Sequence, residues 1–324
     1  KSVQVIFAVS SVLSSIGLIA IQFKVISRIL PILFDYQGPE LTIIAAMIIT
    51  VYAAFGGVKA VTFTDVVQFI TFGTLLPVLA LAVWHHIPSS KQISEVLTHN
   101  PNFNFSYIIG WNSKFLDGLI LMYYFMSPTI PPILFQRLLM SRDVAQMKRS
   151  ITYTTGIMLL IDLLIIWITI LILADNANLQ GTEIIKHIVD RYMYPGLKGL
   201  FGVGVIALAM STADSALNAS SVIVTNDILP PLGITKKPLV STASLVTLVI
   251  GSLGLLLSLS IQNILKILLF SANFYMPLVD VPVLLTVFGF RTSKRSMLIG
   301  IIAGFFTTAV LMIYFKDVNS FVPG

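Results

Sequence analysis

Ala207-Leu-Ala-Met-Ser-Thr-Ala-Asp-Ser-Ala-Leu-Asn-Ala-Ser-Ser-Val-Ile-Val-Thr-Asn-Asp227 sets hydroxyls, an amide and a carboxylate into an otherwise apolar run. Leu208, Ser211, Thr212 and Ser215 fall at i, i+3, i+4 and i+7, so a helix puts them on one face. Asp214, Asn218, Ser221 and Thr225 follow at i, i+4, i+7 and i+11 and form an adjoining polar stripe. Small hydroxyl residues let membrane helices approach closely, and their hydroxyls can bond back to the helix. Packing of that kind competes with a binding role for the serines and threonines, but it requires no carboxylate. Charge at bilayer depth is costly and marks a functional position. Oxygen ligands in a dry pocket suit a small hard cation such as Na⁺.

The rest of the chain agrees that this helix lies in a membrane. Of 324 residues, 56% are hydrophobic and 10% charged, and mean hydropathy is +0.93. Soluble domains carry about 25% charged residues, too many for this chain to be a soluble enzyme, a disordered chain or a coiled coil. With no cysteine there is neither a disulfide scaffold nor a thiolate metal site. The apolar runs are continuous rather than alternating, which excludes a transmembrane β-barrel. The net charge of +6 fits basic loops on one side of a bilayer rather than a nucleic-acid partner. The expected class is an all-α integral membrane protein.

Nine spans are predicted, at 3–30, 40–57, 62–86, 114–136, 150–174, 197–228, 239–259, 263–288 and 296–315. The polar loop 88–112 should hold a helix over Ser90–Thr98. The loop 175–196 should hold a short amphipathic surface helix within Gly181–Tyr194. No low-complexity linker divides the chain, so residues 1–324 read as one transmembrane domain. With Lys1 inside and sides alternating, eleven Lys and Arg residues fall inside and six outside. That bias places the N-terminus in the cytoplasm and the C-terminus outside in a plasma (cell inner) membrane protein.

Other polar residues stand at bilayer depth. Asp162 sits alone in Leu-Ile-Asp-Leu-Leu-Ile and reads equally as a proton site or as a carboxylate paired across helices. Asp280 lies between Pro277 and Pro282, where broken helix hydrogen bonds mark either a cavity or a plain kink. Ser127-Pro-Thr-Ile-Pro-Pro132 predicts a distorted fourth span, and discontinuous helices are where transporters bind substrate. Asp65 is either an ion ligand or a helix cap beside Thr62 and Thr64. His85, His86, His99 and His187 fall in or beside outer loops, without metal-ligand spacing, and read as solvated. No phosphate loop, nucleophile elbow or acid–base pair points to an enzyme.

Phe55-Gly-Gly-Val-Lys-Ala-Val-Thr-Phe-Thr-Asp-Val-Val-Gln68 resembles the signature of the sodium/solute symporter family, which includes sodium-coupled proline, pantothenate and sugar carriers. Met210-Ser-Thr-Ala-Asp-Ser-Ala-Leu-Asn-Ala-Ser-Ser, continuing to Asn226-Asp227, resembles the family's sodium-binding helix. Gln136-Arg137 and the basic loop after it resemble the segment following the first helix of the second repeat. The resemblance implies a LeuT-type bundle of two inverted five-helix repeats, with ions and substrate at the midplane. It further implies that the Leu208 carbonyl and the Ser211 and Thr212 hydroxyls are ligands of the principal sodium site. Ser211, Asp214, Ser215 and Asp65 match a second sodium site found in some members. Asp214 replaces a hydroxyl residue there, which would strengthen cation binding or admit a proton.

On this alignment, residues 1–87 hold helices three to five of the first repeat, 114–288 hold the second repeat, and 296–315 is an extra helix. The family's first two helices find no match. Together with the absence of an initiator Met, this predicts a fragment, a partner chain supplying the missing segment, or an inactive truncated remnant. The expected activity is Na⁺-coupled symport of a small organic solute (an amino acid, sugar or carboxylate) by alternating access, with Na⁺ as coupling ion and no other cofactor. A membrane sensor module of the same fold is the competing expectation.

Overall fold

The computed structural model describes residues 1–34, 36, 38–87, 90–99, 115, 119, 122, 129–176, 179, 183–234, 240–261 and 263–314. Most of the predicted fourth span, the Ser127–Pro128 portion of its break, Lys236, Lys237 and the chain after Tyr314 lie outside the described residues. Among the described residues all regular structure is helical.

Helix α1 spans Ser2–Phe34 and α2 spans Glu40–Trp84. A straight 45-residue helix would be roughly 67 Å long, over twice the hydrocarbon thickness of about 30 Å. Gly57 divides it, with φ 61 and ψ −176, a combination nearly reserved to glycine. The two predicted spans 40–57 and 62–86 are thus joined by a one-residue break instead of a loop. The Tyr52 hydroxyl meets Thr64 Oγ1 at 2.6 Å across that break.

Helices α3 (Ser90–His99) and α4 (Pro132–Leu139) are short. Helix α5 (Val144–Asp175) starts on a reciprocal cap: Asp143 accepts from the Gln146 amide at 2.7 Å, and Gln146 Oε1 accepts from the Arg142 amide at 2.7 Å. Helix α6 is Ile184–Tyr192. Helix α7 (Pro195–Ile223) opens on proline, whose missing N–H costs nothing at a first helical position. It runs on as a π-turn over Val224–Ile228. Helix α8 is Val240–Ser260. Helix α9 (Ile264–Tyr275) passes through a π-turn at Met276–Asp280 into α10 (Val281–Val287). Pro277 has no N–H to give, so the hydrogen-bond register shifts there. Gly289, at φ 86, closes α10 with its amide on Thr286 and that of Phe290 on Leu285. Helix α11 is Lys294–Tyr314.

Among the described residues, five helices are long and apolar enough to cross a membrane: α1, α2, α5, α7 with its π-turn, and α8. Helix α7 is central and packs most extensively on α1 and α2. Its residues Ala213–Ser221 are buried without interruption. Val12, Ile19, Phe23 and Ile26 of α1 meet Ala46, Ile49 and Ala53 of α2, Ala213 and Leu217 of α7, and Ile250 of α8. Glycine brings α8 close: a side chain at Gly251 would collide with Thr50, and one at Gly254 with Ile19. Leu13, Phe55, Val240 and Phe306 point outward, which would be costly in water and suits lipid.

The two loop helices form where the sequence predicts them. Helix α3 buries Ile93 and Val96 and packs on α5. Helix α6 buries Ile188, Val189 and Tyr192 and is fastened at its C-terminal end. Asp175 accepts from the Tyr192 hydroxyl at 2.9 Å and from Arg191 Nε at 3.3 Å. Burial and the hydrogen bond to Asp175 push the Tyr192 phenol well above its ordinary range. His187 lies 3.3 Å from both Asp175 and Tyr192, so it is part of this cluster and not a solvated loop residue. Asp162 lies on an exposed part of α5.

Candidate functional site

Two segments of opposite character meet beside the Gly57 break. One is the first turns of α2 after Gly57, where Thr62 and Thr64 bond back to Val58 and Ala60. The other is the polar half of α7. Asp65 points from the first toward the second, and Ser211 donates to its Oδ1 at 2.6 Å. Asp65 therefore does not cap a helix; it bridges two of them.

Arg137, from the last turn of α4, completes the arrangement. Its guanidinium forms an ion pair with Asp65 Oδ2, donates to Ser215 Oγ at 2.9 Å and donates to Thr62 Oγ1 at 2.8 Å. Asp214 lies behind this surface, fully buried and close enough to Asp65 and Arg137 to feel both charges. The Ser215 amide and hydroxyl stand beside it, yet neither carboxylate oxygen has a partner at hydrogen-bond distance and angle. Two carboxylates thus face one guanidinium. With both ionised the cluster is one positive charge short, and a buried uncompensated carboxylate is strongly unfavourable.

Of the predicted residues, the structure brings Asp65, Ser211, Asp214 and Ser215 together. Leu208 and Thr212 remain on the more open side of α7, where the Thr212 hydroxyl bonds back to the Leu208 carbonyl at 3.4 Å. The stripe Asp214, Asn218, Ser221 and Thr225 is buried throughout; Ser221 and Thr225 spend their hydroxyls on Asn218 and Ser221 carbonyls. The sequence marks Arg137 as a basic residue of the inner side and, with Gln136, as part of a family-like segment, without a site role, and Tyr52 only as part of an apolar span. The one sequence sign of Arg137's role is that an arginine stands one turn beyond the Pro131-Pro132 pair. Among the described residues no group of three His, Asp or Glu is arranged to hold a metal in the manner of a zinc or calcium site.

A second polar contact joins Ile130, just before α4, to the π-turn after α9. Asp280 Oδ1 accepts from the Ile130 amide at 3.1 Å, and the Tyr275 hydroxyl donates to the Ile130 carbonyl at 2.9 Å. The prolines at 131, 132 and 277 explain why free backbone groups occur here. A cavity of about 480 Å³ opens beside this contact, between α1, α4, α7 and the π-turn.

A helical membrane bundle with a broken helix at a polar centre and a carboxylate–hydroxyl cluster beside it is the architecture of an ion-coupled secondary transporter. A model of the sodium:solute symporter family matches residues 1–304, and the chain belongs to that family. Its fold is similar to the solved structure of a Na⁺-coupled sialic acid symporter in a substrate-bound outward-open state, for which a novel Na⁺ site is described. The likeness has a TM-score of 0.69 at 18% identity, over 94% of this chain and 74% of that one. No curated protein matches the chain.

Proposed function

We propose that the protein carries out Na⁺-coupled symport of a small organic solute across a plasma (cell inner) membrane. The N-terminus lies in the cytoplasm, and residues 1–324 act as one transmembrane unit. The reading rests on the charge imbalance at Asp65, Asp214 and Arg137, beside the hydroxyls of Ser211 and Ser215. These oxygens would hold Na⁺, which would supply the positive charge the cluster lacks. The Leu208 carbonyl and the Thr212 hydroxyl, on the open side of the same helix, are proposed, with Ser211, as ligands of the principal Na⁺ and the carboxylate cluster as the second site. One charge moving down 100 mV releases about 2.3 kcal/mol, enough to concentrate a solute roughly fiftyfold.

The test is ²²Na⁺ binding to the full-length protein in detergent or nanodiscs. Ser211→Ala should raise the Na⁺ concentration for half-saturation by about three- to tenfold, in line with the loss of one hydrogen-bonding ligand. Asp214→Asn should lower the number of ions bound. Binding that is indifferent to both substitutions, or no saturable Na⁺ binding by the parent protein, would sink the assignment.

A further inference from the structure

We propose that the transported solute carries a protonated amine, and that Asp280 is its counter-ion. The proposal rests on the transport function above and adds a chemical class to it.

Asp280 is buried, and only one of its oxygens is used: Oδ1 takes the Ile130 amide, while the equally buried Oδ2 has no hydrogen-bond partner. A carboxylate held at this depth with half its acceptor capacity idle is costly unless a donor arrives. Among the described residues, no Lys, Arg or His lines the adjoining cavity to serve as that donor. Ile130 and Val279 do wall it; the first is bonded to Asp280 and the second precedes it in sequence. Asp280 itself stands behind that wall and does not line the cavity, so a bound cation reaches its buried free oxygen when the Ile130–Val279 wall gives way.

The same cavity is also lined by Asp227, whose Oδ1 accepts from Gln4 Nε2 at 2.9 Å. The cavity thus has one carboxylate in its lining, another behind its wall, and no basic residue in its described lining. Such a passage concentrates cations and repels anions. An anionic solute, like the sialic acid of the structurally similar symporter, would find no described positive partner here.

The lining also separates an amine from a second metal ion. An alkali or alkaline-earth cation requires a shell of several oxygens. Beside Asp280 the Tyr275 hydroxyl is already committed to the Ile130 carbonyl. Phe7, Phe135, Val279 and Val283 supply apolar and aromatic surface instead. A cation with a small hydrocarbon body matches this lining: its ammonium donates to the carboxylate, and its body rests on the rings and aliphatic side chains. The volume of about 480 Å³ lies within the range for small-molecule sites.

The experiment uses the full-length protein in nanodiscs with saturating Na⁺, and reads ligand-induced thermal stabilisation across a fixed panel. The panel holds amines and amino acids, the same skeletons with the amine replaced by hydroxyl, neutral sugars, and simple carboxylates. Hits are then followed as radiolabelled uptake into proteoliposomes. Stabilisation and uptake confined to amine-bearing compounds is expected. Asp280→Asn should weaken the best hit at least tenfold while ²²Na⁺ binding in the absence of solute stays at the parent level. Selection of sugars, carboxylates or hydroxyl analogues over amines overturns the proposal, as does a panel with no amine hit while Na⁺ binding is intact. An Asp280→Asn variant that loses a Na⁺ ion instead would identify Asp280 as an ion ligand and equally overturn it. Should Asp280→Asn fail to fold, the panel on the unmodified protein still decides. Failure of Na⁺ binding itself would tell against the symport reading, which makes the two failures distinguishable.

Discussion

Arg137 donates to Thr62, Asp65 and Ser215 together, so a cation drawn to those oxygens meets a guanidinium already in place. Its side chain is 29% exposed and that of Asp65 23%, so water weakens the pair without abolishing it. Replacing Arg137 with Gln removes a tethered competitor and leaves two carboxylates without their counter-charge. Arg137→Gln should therefore bind Na⁺ several-fold more tightly and melt at a lower temperature in Na⁺-free buffer, with the loss recovered on adding Na⁺. Melting curves in NaCl and in choline chloride measure this directly. A variant equally destabilised in both salts would make Arg137 structural only. At this scale the sequence shows Ser211, Asp214 and Asp65 because charge and hydroxyls at helical spacing are conspicuous in apolar surroundings. It hides Arg137, whose partner Asp65 stands 72 positions earlier, because nothing local relates an arginine on one helix to an aspartate on another. The role of His187 is hidden for the same reason: its partners Asp175 and Tyr192 gather only once α6 folds back on the bundle.

Among the elements, the break in α2 depends on one residue. A Cβ at Gly57 would meet nothing within 4 Å, so its substitution tests backbone strain alone. Gly57→Ala should cost about 1–3 kcal/mol, whereas Gly73→Ala, on the same helix with equally open surroundings, should be neutral or stabilising by up to about 1 kcal/mol. Unfolding of both variants in detergent gives the comparison, and equal effects would refute the special role of Gly57. The Gly-Gly pair and the prolines at 131, 132 and 277 make these interruptions legible in the sequence. The π-turn at Val224–Ile228 is not, since its local composition still suits an α-helix and tertiary packing selects the wider turn.

For the molecule as a whole, hydropathy alone indicates a polytopic bundle, but sidedness rests on eleven basic residues against six. The absence of cysteine makes this simple to test. A single Lys148→Cys should react with an impermeant maleimide only from the cytoplasmic side, and a single Lys186→Cys only from the outside; both side chains are exposed. The reverse pattern would invert the topology, and labelling of both from one side would change the number of spans between them. Which helices surround α7 is not legible in the sequence. The identity of neighbours follows from small-residue contacts such as Gly202 on Leu33 and Gly204 on Leu75, which depend on how the whole chain threads.

The one-residue junction at Gly57 also has a mechanical consequence. The segment before it is clamped to α8, where Ser244 donates to the Ala54 carbonyl at 2.7 Å; the segment after it carries Asp65. With the Tyr52–Thr64 contact strapping the two rods together, the joint has almost no slack. Any tilt of the clamped rod is delivered to the Asp65–Arg137 cluster as a displacement of Asp65 instead of being absorbed by a loose tether. Inserting two glycines after Gly57 should act like a clutch: Na⁺ binding at equilibrium persists, while the turnover of coupled uptake falls by an order of magnitude or more. Turnover unaffected by the insertion would mean that the two rods already move independently.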